Sequence, residues 1–213
     1  MKLRSSVIAA TCALALAVAV AACSSSGDHS SMDGSSMSSV PKVSIPAGAN
    51  FNATDVGFAQ GMIPHHAQAV EMSDLALSNS TNADVLALAR QIKAAQSPEI
   101  TTMTGWLNSW GQPVPSIEKG SMGGHDMTGM DGMMMDGMMS QADMKRLSTS
   151  TGSAFDRLWI ELMIQHHEGA VKMSKTEVAE GKNSDVKALA QSIITSQQAE
   201  ITAMNELLAK IPS

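Results

Sequence analysis

The chain contains one segment twice, and this internal repeat restricts the folds open to it more than any other feature. When the sequence is shifted by 101 positions, residues 55–107 align with residues 156–208 without a gap, and 22 of the 53 aligned pairs are identical. The identical positions include a histidine pair, His65-His66, which recurs as His166-His167. An ungapped match of this length predicts a duplicated structural unit.

Each copy has the pattern of a helical hairpin. Apolar residues recur every three or four positions, which is the period of an amphipathic helix. Asn82 and Asn183 are suited to begin the second helix of each copy, and Gly181 suits the end of the helix before it. The turns are predicted near 80–81 and 181–182. Four apolar helix faces that are buried together predict an all-α four-helix bundle.

The start of the chain resembles an export signal. A charged beginning and a short apolar run end in Val20-Ala21-Ala22-Cys23, which resembles the lipobox of bacterial lipoproteins. We therefore predict an exported protein with a lipid on Cys23, anchored to the outer face of the cytoplasmic membrane or within the cell envelope. The alternative is a plain signal peptide followed by an unmodified cysteine.

Composition divides the rest of the chain. The predicted organisation is a signal peptide over 1–22, a lipidated flexible tether over 23–50, and a duplicated four-helix domain over 51–213. Within that domain we predict a first hairpin over 51–110, a Met-rich linker over 111–150 and a second hairpin over 151–213.

Cysteine and charge exclude several classes of function. Cys12 leaves with the signal peptide and Cys23 carries the lipid, so the domain has no thiol for a disulfide, a zinc-thiolate site or a cysteine nucleophile. The formal net charge is -6 and no cluster of Lys and Arg is present, which argues against nucleic acid as a partner. Any bound ion has to be held by His, Met, carboxylate or backbone groups.

The repeated histidine pairs are the strongest candidates for chemistry. In each copy a methionine precedes the two histidines by three and four residues, so the thioether and imidazole groups lie on adjacent turns of one helix face. Adjacent histidines diverge by about 100° around a helix. One histidine of each pair can therefore face its hairpin partner while the other faces the neighbouring hairpin.

Folding each hairpin at its turn gives the side chains opposite these pairs, with a slip of a few residues. In the first copy Met62 falls opposite Glu99 and the histidines opposite Gln96. In the second copy Met163 falls opposite Glu200 and the histidines opposite Gln197. The candidate metal ligands are Met62, His65, His66, Glu99, Met163, His166, His167 and Glu200, with Gln96 and Gln197 around them.

The donor set indicates the metal. Imidazole with thioether suits copper, especially Cu(I), better than Mg or Ca. Glu99 and Glu200 are either ligands or groups that orient an imidazole. The competing interpretation is structural, because a single buried histidine is usually a hydrogen-bonded core residue and a methionine at helical spacing is usually core packing.

Two prolines distinguish the copies. Pro64 and Pro98 of the first copy correspond to Gln165 and Ala199 of the second. A proline inside a helix frees a carbonyl and bends the helix, so we predict kinks that open the first hairpin locally at its histidines. The alternative is that a proline begins a new helical segment.

The linker between the copies is the second metal-binding signal. Eight methionines fall within residues 122–139, among glycines too numerous for a stable helix and without other apolar partners for a core. Clustered thioethers suit a soft cation. The looser candidate ligands are Met122, His125, Met127, Met130, Met133, Met134, Met135, Met138 and Met139. A plain spacer, or a sink for oxidants through methionine sulfoxide, is the alternative.

The run from Phe58 to Met72, with its Met-Ile-Pro-His-His core, resembles the signature of domain-of-unknown-function family 305, and the segment from Phe155 to Met173 resembles its repeat. This resemblance implies a ferritin-like helical bundle that is exported and, as in some members, binds copper. It implies no enzyme activity. Ferritin-like di-iron sites use Glu-x-x-His motifs, and neither histidine pair is part of one, which weighs against an oxidase. Gln165 departs from the signature and places the equivalence of the two sites in doubt.

These observations favour an extracytoplasmic lipoprotein that binds copper, most simply Cu(I), for buffering, resistance or transfer to or from a copper donor or acceptor protein. One alternative is a ferritin-like metal oxidase or redox enzyme that uses copper or iron at the histidines and glutamates. The other is a scaffold without metal that binds a partner protein.

Overall fold

The computed structural model describes residues 44–117 and 136–212. The predicted signal peptide, Cys23, most of the predicted tether and the linker from Met122 to Met135, including His125, lie outside the described residues.

The described residues form five helices and no strand. They are α1 (Ala53–Asn79), α2 (Ala83–Ser109), α3 (Gln141–Thr149), α4 (Gly152–Glu180) and α5 (Ser184–Leu208). The all-α prediction is confirmed, and the turns after α1 and α4 fall where the repeat placed them. None of these helices has the length and the apolar character that crossing a membrane requires.

The short helix α3 is a separate element at the end of the segment predicted as the Met-rich linker over 111–150. A capping box at Ser140 begins α3, because its side chain accepts the Asp143 N–H while the Asp143 carboxylate accepts the Ser140 N–H. Gly152, with a φ of 61°, lies in the left-handed region at the break before α4.

Side-chain caps explain where the paired helices begin. The Asn82 side chain accepts the N–H groups of residues 84 and 85, and the Asn183 side chain those of residues 185 and 186, as predicted. Gly181 ends α4, although its φ of -63° does not require glycine. Space is the reason for glycine here, because a Cβ on Gly181 would lie 1.9 Å from Oε1 of buried Glu177.

Helices α1 and α2 pack as one hairpin and α4 and α5 as another, and the hairpins meet chiefly through α1 against α4. The two helices run antiparallel, since Asp55 at the start of α1 accepts the N–H groups of Lys182 and Asn183 after α4, at 3.1 and 2.9 Å. Reciprocally, the Ser80 hydroxyl after α1 donates to Asp156 near the start of α4, at 2.5 Å.

Two apolar clusters fill the core. The first contains Met72 of α1 with Trp159 and Met163 of α4, and the Trp159 indole N–H donates to the Met72 carbonyl at 2.9 Å. The second contains Met62 and its α1 neighbours, with Ile193 of α5. The four histidines lie between these clusters along α1 and α4.

Both prolines of the first copy lie inside unbroken helices. Helix α1 continues through Pro64 and α2 continues through Pro98, so the alternative that a proline starts a new segment is wrong. His65 and His66 beside Pro64 are fully buried, and the predicted local opening is therefore not observed. The tertiary packing of these long helices outweighs the lost backbone hydrogen bonds.

The last residues of the predicted tether contact the helices. Ile45 and Ala49 pack against the second cluster, and the Lys182 ammonium donates to the Ala49 carbonyl at 2.6 Å. Phe51 stacks on Trp110 with ring centroids 4.5 Å apart. The packed part of the chain thus begins several residues before the expected boundary at 51.

Candidate metal centre

The two histidines of each pair face in different directions, as the 100° divergence predicted. His66 Nε2 lies 2.7 Å from a Glu99 carboxylate oxygen, and His167 Nε2 lies 2.9 Å from the equivalent oxygen of Glu200. These two histidines face their own hairpin partners. The other two, His65 and His166, meet across the α1–α4 interface with ring centroids 3.7 Å apart and planes inclined by 39°.

The glutamates fix the outer histidines. The Nε2–H of each ring donates to its carboxylate, so Nδ1 of His66 and of His167 is the ring nitrogen that the glutamate does not occupy. Both Nδ1 atoms are buried without a hydrogen-bond partner among the described residues. The expected pairing slipped by four residues in each copy, so the glutamates lie one helical turn from their predicted level and contact histidine.

The central pair, His65 and His166, is completely buried, and none of its four ring nitrogens has a hydrogen-bond partner in the described part of the chain. Burial lowers the pKa of His65 to about 3, with smaller contributions from the charges of His66 and His167, while the Asp136 backbone acts in the opposite direction. Burial likewise lowers the pKa of His166 well below its usual value. Both rings are neutral near pH 7 and carry free lone pairs.

Such a pair costs stability. Each buried polar atom without a partner costs about 1–3 kcal/mol, so two apolar side chains would stabilise this interface better than two imidazoles. Neutral imidazoles with unused lone pairs are the form in which histidine binds metal ions. The arrangement therefore fits a functional site better than a structural one.

The rings touch one another, so an ion that binds both has to turn or separate them. Within residues 44–117 and 136–212, no group of three or more His, Cys, Asp and Glu side chains is placed to hold a metal ion. Further ligands for an ion at the central pair would therefore be thioethers, backbone groups or side chains that move toward it.

Four methionines of the candidate set lie in the described part of the chain, and they differ in burial. Met62 and Met163 are fully buried, each one helical turn before an outer histidine. Met138 is half-buried, and Met139 belongs to the first apolar cluster. The expectation that the Met-rich run lies outside the core is therefore wrong for Met139, because α1 and α4 supply apolar partners that the linker itself lacks.

The two glutamines of the candidate set are buried polar groups with spare hydrogen-bonding capacity. Neither side-chain atom of Gln96 has a partner in the residues that the structure describes, and neither does Oε1 of Gln197. Both side chains are 2% exposed. They add unsatisfied polar atoms to the helices that also supply Glu99 and Glu200.

Two glutamines with structural roles at the site were missed. The Gln91 side chain of α2 donates to Glu200 of α5 at 3.2 Å. The Gln68 side chain binds the backbone of Met139. The available signal was a difference between the copies, since the repeat aligns Gln91 with Ser192 and Gln68 with Gly169.

Comparison with known proteins agrees with this architecture. Residues 55–208 match the model of DUF305, described as a domain of unknown function. The chain belongs to the DUF305 family. Its helices resemble the crystal structure of a Streptomyces coelicolor DUF305 protein that is provisionally described as secreted, with 37% identity, a TM-score of 0.64, and coverage of 74% of this chain and 93% of the other.

Three further relatives extend the comparison. A DUF305 fragment from Deinococcus radiodurans shares 31% identity with a TM-score of 0.63, over 75% of this chain and 97% of the fragment. CopM in its Cu(I)-bound form shares 30% identity with a TM-score of 0.59, over 75% of this chain and 98% of CopM. The mimivirus protein L153 of Acanthamoeba polyphaga mimivirus, which is uncharacterized, is 45% identical over 53 residues, and the match spans 25% of this chain and 35% of L153.

Proposed function

We propose that this DUF305 protein binds copper outside the cytoplasm, with Cu(I) as its main form, and buffers the ion or passes it to a partner protein. The proposal includes a lipid anchor on Cys23 and a ferritin-like bundle made of the four long helices. Copper is cargo in this account, so no enzyme activity is needed.

The observation that carries the proposal is the group of buried imidazole nitrogens without partners. Both nitrogens of His65 and of His166, and Nδ1 of His66 and of His167, lie buried with no hydrogen bond within the described ranges. The low pKa of His65 and of His166 keeps those rings neutral, so an arriving cation displaces no proton from them.

The donor chemistry supports copper over harder ions. Neutral imidazole and thioether groups favour Cu(I), whereas Mg and Ca take oxygen ligands. Met62 and Met163 would supply thioethers from the turns next to the outer histidines. CopM, which shares this fold and 28–31% of its sequence with the chain, has been solved with Cu(I), with Cu(II) and with Ag.

The Met-rich linker is proposed as a second, looser place for the same ion. Met122, Met127, Met130, Met133, Met134 and Met135, with His125, supply soft donors along one short stretch of sequence. Met138 is included among these donors, while Met139 is already occupied in the core.

Export is supported by the sequence of the first 23 residues and by the description of the Streptomyces coelicolor relative as secreted. The electrophoretic mobility and the mass of the protein isolated from the membrane fraction test for the lipid directly. If Cys23 is acylated, Cys23→Ser should also release the chain from the membrane.

An anaerobic titration of the whole chain with Cu(I), against a chromogenic Cu(I) chelator, tests the function. We expect the chain to withdraw copper from the chelator. Replacing both His65 and His166 by Leu should remove the tightest binding. Replacing the six methionines of 122–135 by Ser should remove only weaker binding. Residues 136–139 stay unchanged because they pack on α1 and α4.

Failure of the unmodified chain to compete for any Cu(I) would reject the proposal. Turnover of Fe(II) or Cu(I) with oxygen would support the metal-oxidase alternative instead. The same titration with Ca²⁺ is the control for non-specific binding to an acidic protein, and no uptake is expected.

A further inference from the structure

We propose that residues 136–139, here called the strap, close over the central histidine pair, and that Gln68 latches the strap and so sets how fast copper leaves that pair. This inference rests on the proposed function, since it concerns release of the same ion. All residues on which it depends lie in the described part of the chain.

Gln68 holds the strap by two buried hydrogen bonds. Its side-chain N–H donates to the Met139 carbonyl at 2.9 Å, and its side-chain oxygen accepts the Met139 N–H at 2.8 Å. Gln68 is 1% exposed, so water does not compete for these bonds. Three residues earlier on the same helix is His65, one member of the central pair.

On α4, two glycines let the strap lie directly on the helix. A Cβ on Gly169 would fall 2.0 Å from the Asp136 carbonyl oxygen, and a Cβ on Gly137 would fall 2.9 Å from the His166 carbonyl. Gly137 also has a φ of 81°, which strongly favours glycine. No side chain larger than hydrogen fits at either position without moving the strap.

Gln68 and Gly169 occupy the same position in the two copies of the repeat. One copy presents a long amide that grips the strap, and the other presents no side chain at all, so that the strap can pass. The strap crosses from α1 to α4, so it needs a side chain that holds it on α1 and free space on α4. The two copies supply these at equivalent positions.

The strap reaches the central pair itself. The Gly137 backbone of the strap lies against the turn of α4 that carries His166, since a Cβ on Gly137 would fall 2.8 Å from the Gln165 carbonyl oxygen and 2.9 Å from that of His166. At its outer end the strap forms an exposed ion pair, Lys172 with Asp136 at 2.8 Å, which contributes little to holding it. Because the strap is not helical, it can lift without unfolding α1 or α4.

Release of Cu(I) from the loaded whole chain to excess chelator, followed by stopped-flow absorbance, tests the latch. Gln68→Ala removes both hydrogen bonds, and two such bonds together correspond to roughly a tenfold or larger change in the open population. We therefore expect release about tenfold faster. Gly169→Ala should accelerate release too, since its Cβ displaces the Asp136 carbonyl.

Two matched controls use the same residue types at sites away from the strap. Gln60→Ala removes an α1 amide that donates to the Pro113 carbonyl at 2.8 Å, a loop contact elsewhere on the helix. Gly105→Ala adds a Cβ on α2 where nothing lies within 4 Å. Both should leave the release rate within about twofold of the unmodified chain, the scatter expected of surface changes.

Hydrogen exchange of the Met139 amide in metal-free protein gives a readout independent of copper. It should accelerate in Gln68→Ala and Gly169→Ala and stay unchanged in the controls. Faster exchange with an unchanged release rate would overturn the latch while leaving the proposed function intact. Absence of Cu(I) binding by the unmodified chain would instead defeat the proposed function. If Gln68→Ala fails to fold, Gly169→Ala decides the question.

Discussion

The two hairpins descend from one sequence, yet their glutamates sit in different surroundings. Among the described residues Glu99 accepts from His66 alone and its side chain is 19% exposed, whereas Glu200 accepts from both His167 and Gln91 and is 7% exposed. The shared histidine contact shows what duplication kept. The added glutamine contact, which comes from the opposite hairpin, shows that the second site is held more tightly.

A second difference lies at the ends of the hairpins. The second copy carries Glu177 and Gly181 where the first carries Ala76 and Ser80. Glu177 is fully buried, and burial raises its pKa to about 8, with a further contribution from the neighbouring Asp55 carboxyl. The first hairpin has no such group. Both copies therefore keep the histidine–glutamate contact, whereas the buried carboxyl with a raised pKa, Glu177, belongs to the second copy.

The largest effect is expected where the hairpins are alike. Replacing His65 and His166 together by Leu should raise the free energy of unfolding by about 1–3 kcal/mol at pH 7, because unpartnered polar atoms leave the core. The same change should abolish the tightest Cu(I) binding. Urea denaturation measures the first and chelator competition the second.

That double variant should also respond differently to acid. A histidine with a lowered pKa takes up protons on unfolding, so the unmodified chain loses stability as pH falls below about 6.5. For His65 the loss is roughly 1 kcal/mol per pH unit down to its pKa of about 3, and His166 acts in the same direction. The variant should lose less. Equal acid sensitivity of the two proteins, or lower stability of the variant at pH 7, would contradict the functional interpretation of the pair.

Glu177→Gln should expose the pH-sensitive difference between the hairpins. A carboxyl whose pKa is raised contributes its stability below about 4.5 and loses it as pH rises toward 8. The free energy of unfolding of the variant, relative to that of the unmodified chain, should therefore rise by roughly 1 kcal/mol per pH unit between pH 5 and 8. Thermal unfolding at pH 5, 7 and 8 measures this. Ala76→Gln at the equivalent position of the first copy is the comparison, and a pH-dependent gain there would show that the effect is not due to Glu177.

The smallest effect concerns the two glutamates. Loss of a carboxylate that orients a metal-binding imidazole typically reduces metal affinity by about 10–100-fold. We expect Glu200→Gln to reduce Cu(I) affinity within that range. Glu99→Gln should reduce it less, since Glu99 is more exposed and has one contact fewer. Chelator competition on the two variants provides the ranking. An equal loss would show that the Gln91 contact has no consequence for binding.

The repeat predicted much of what positions the site. The hairpins, their turns, the asparagine caps and the divergence of the adjacent histidines all follow from periodicity within one copy. The level of the glutamates was displaced by one helical turn, because the turn length alone does not fix how two helices slide past each other. A contact within a hairpin is thus predictable to about one turn.

The contacts between copies were not predictable in this way. The pairing of His65 with His166 depends on how α1 packs on α4, and nothing in either copy alone encodes that choice. The strap depends on Gln68 and Gly169, which the alignment records only as a mismatch. The contacts of the strap thus come from a position where the two copies differ, whereas the histidine–glutamate contacts come from positions where they agree.

The central claim is that one histidine from each hairpin joins to make a single copper site. Cu(I) affinity and stoichiometry of His65→Leu, His166→Leu and the double variant, measured together by chelator competition, test it most directly. If the two histidines form one site, each single variant loses the same tightest site and the double variant loses no more. Two equal sites, of which each single variant removes one and the double variant removes both, would contradict it.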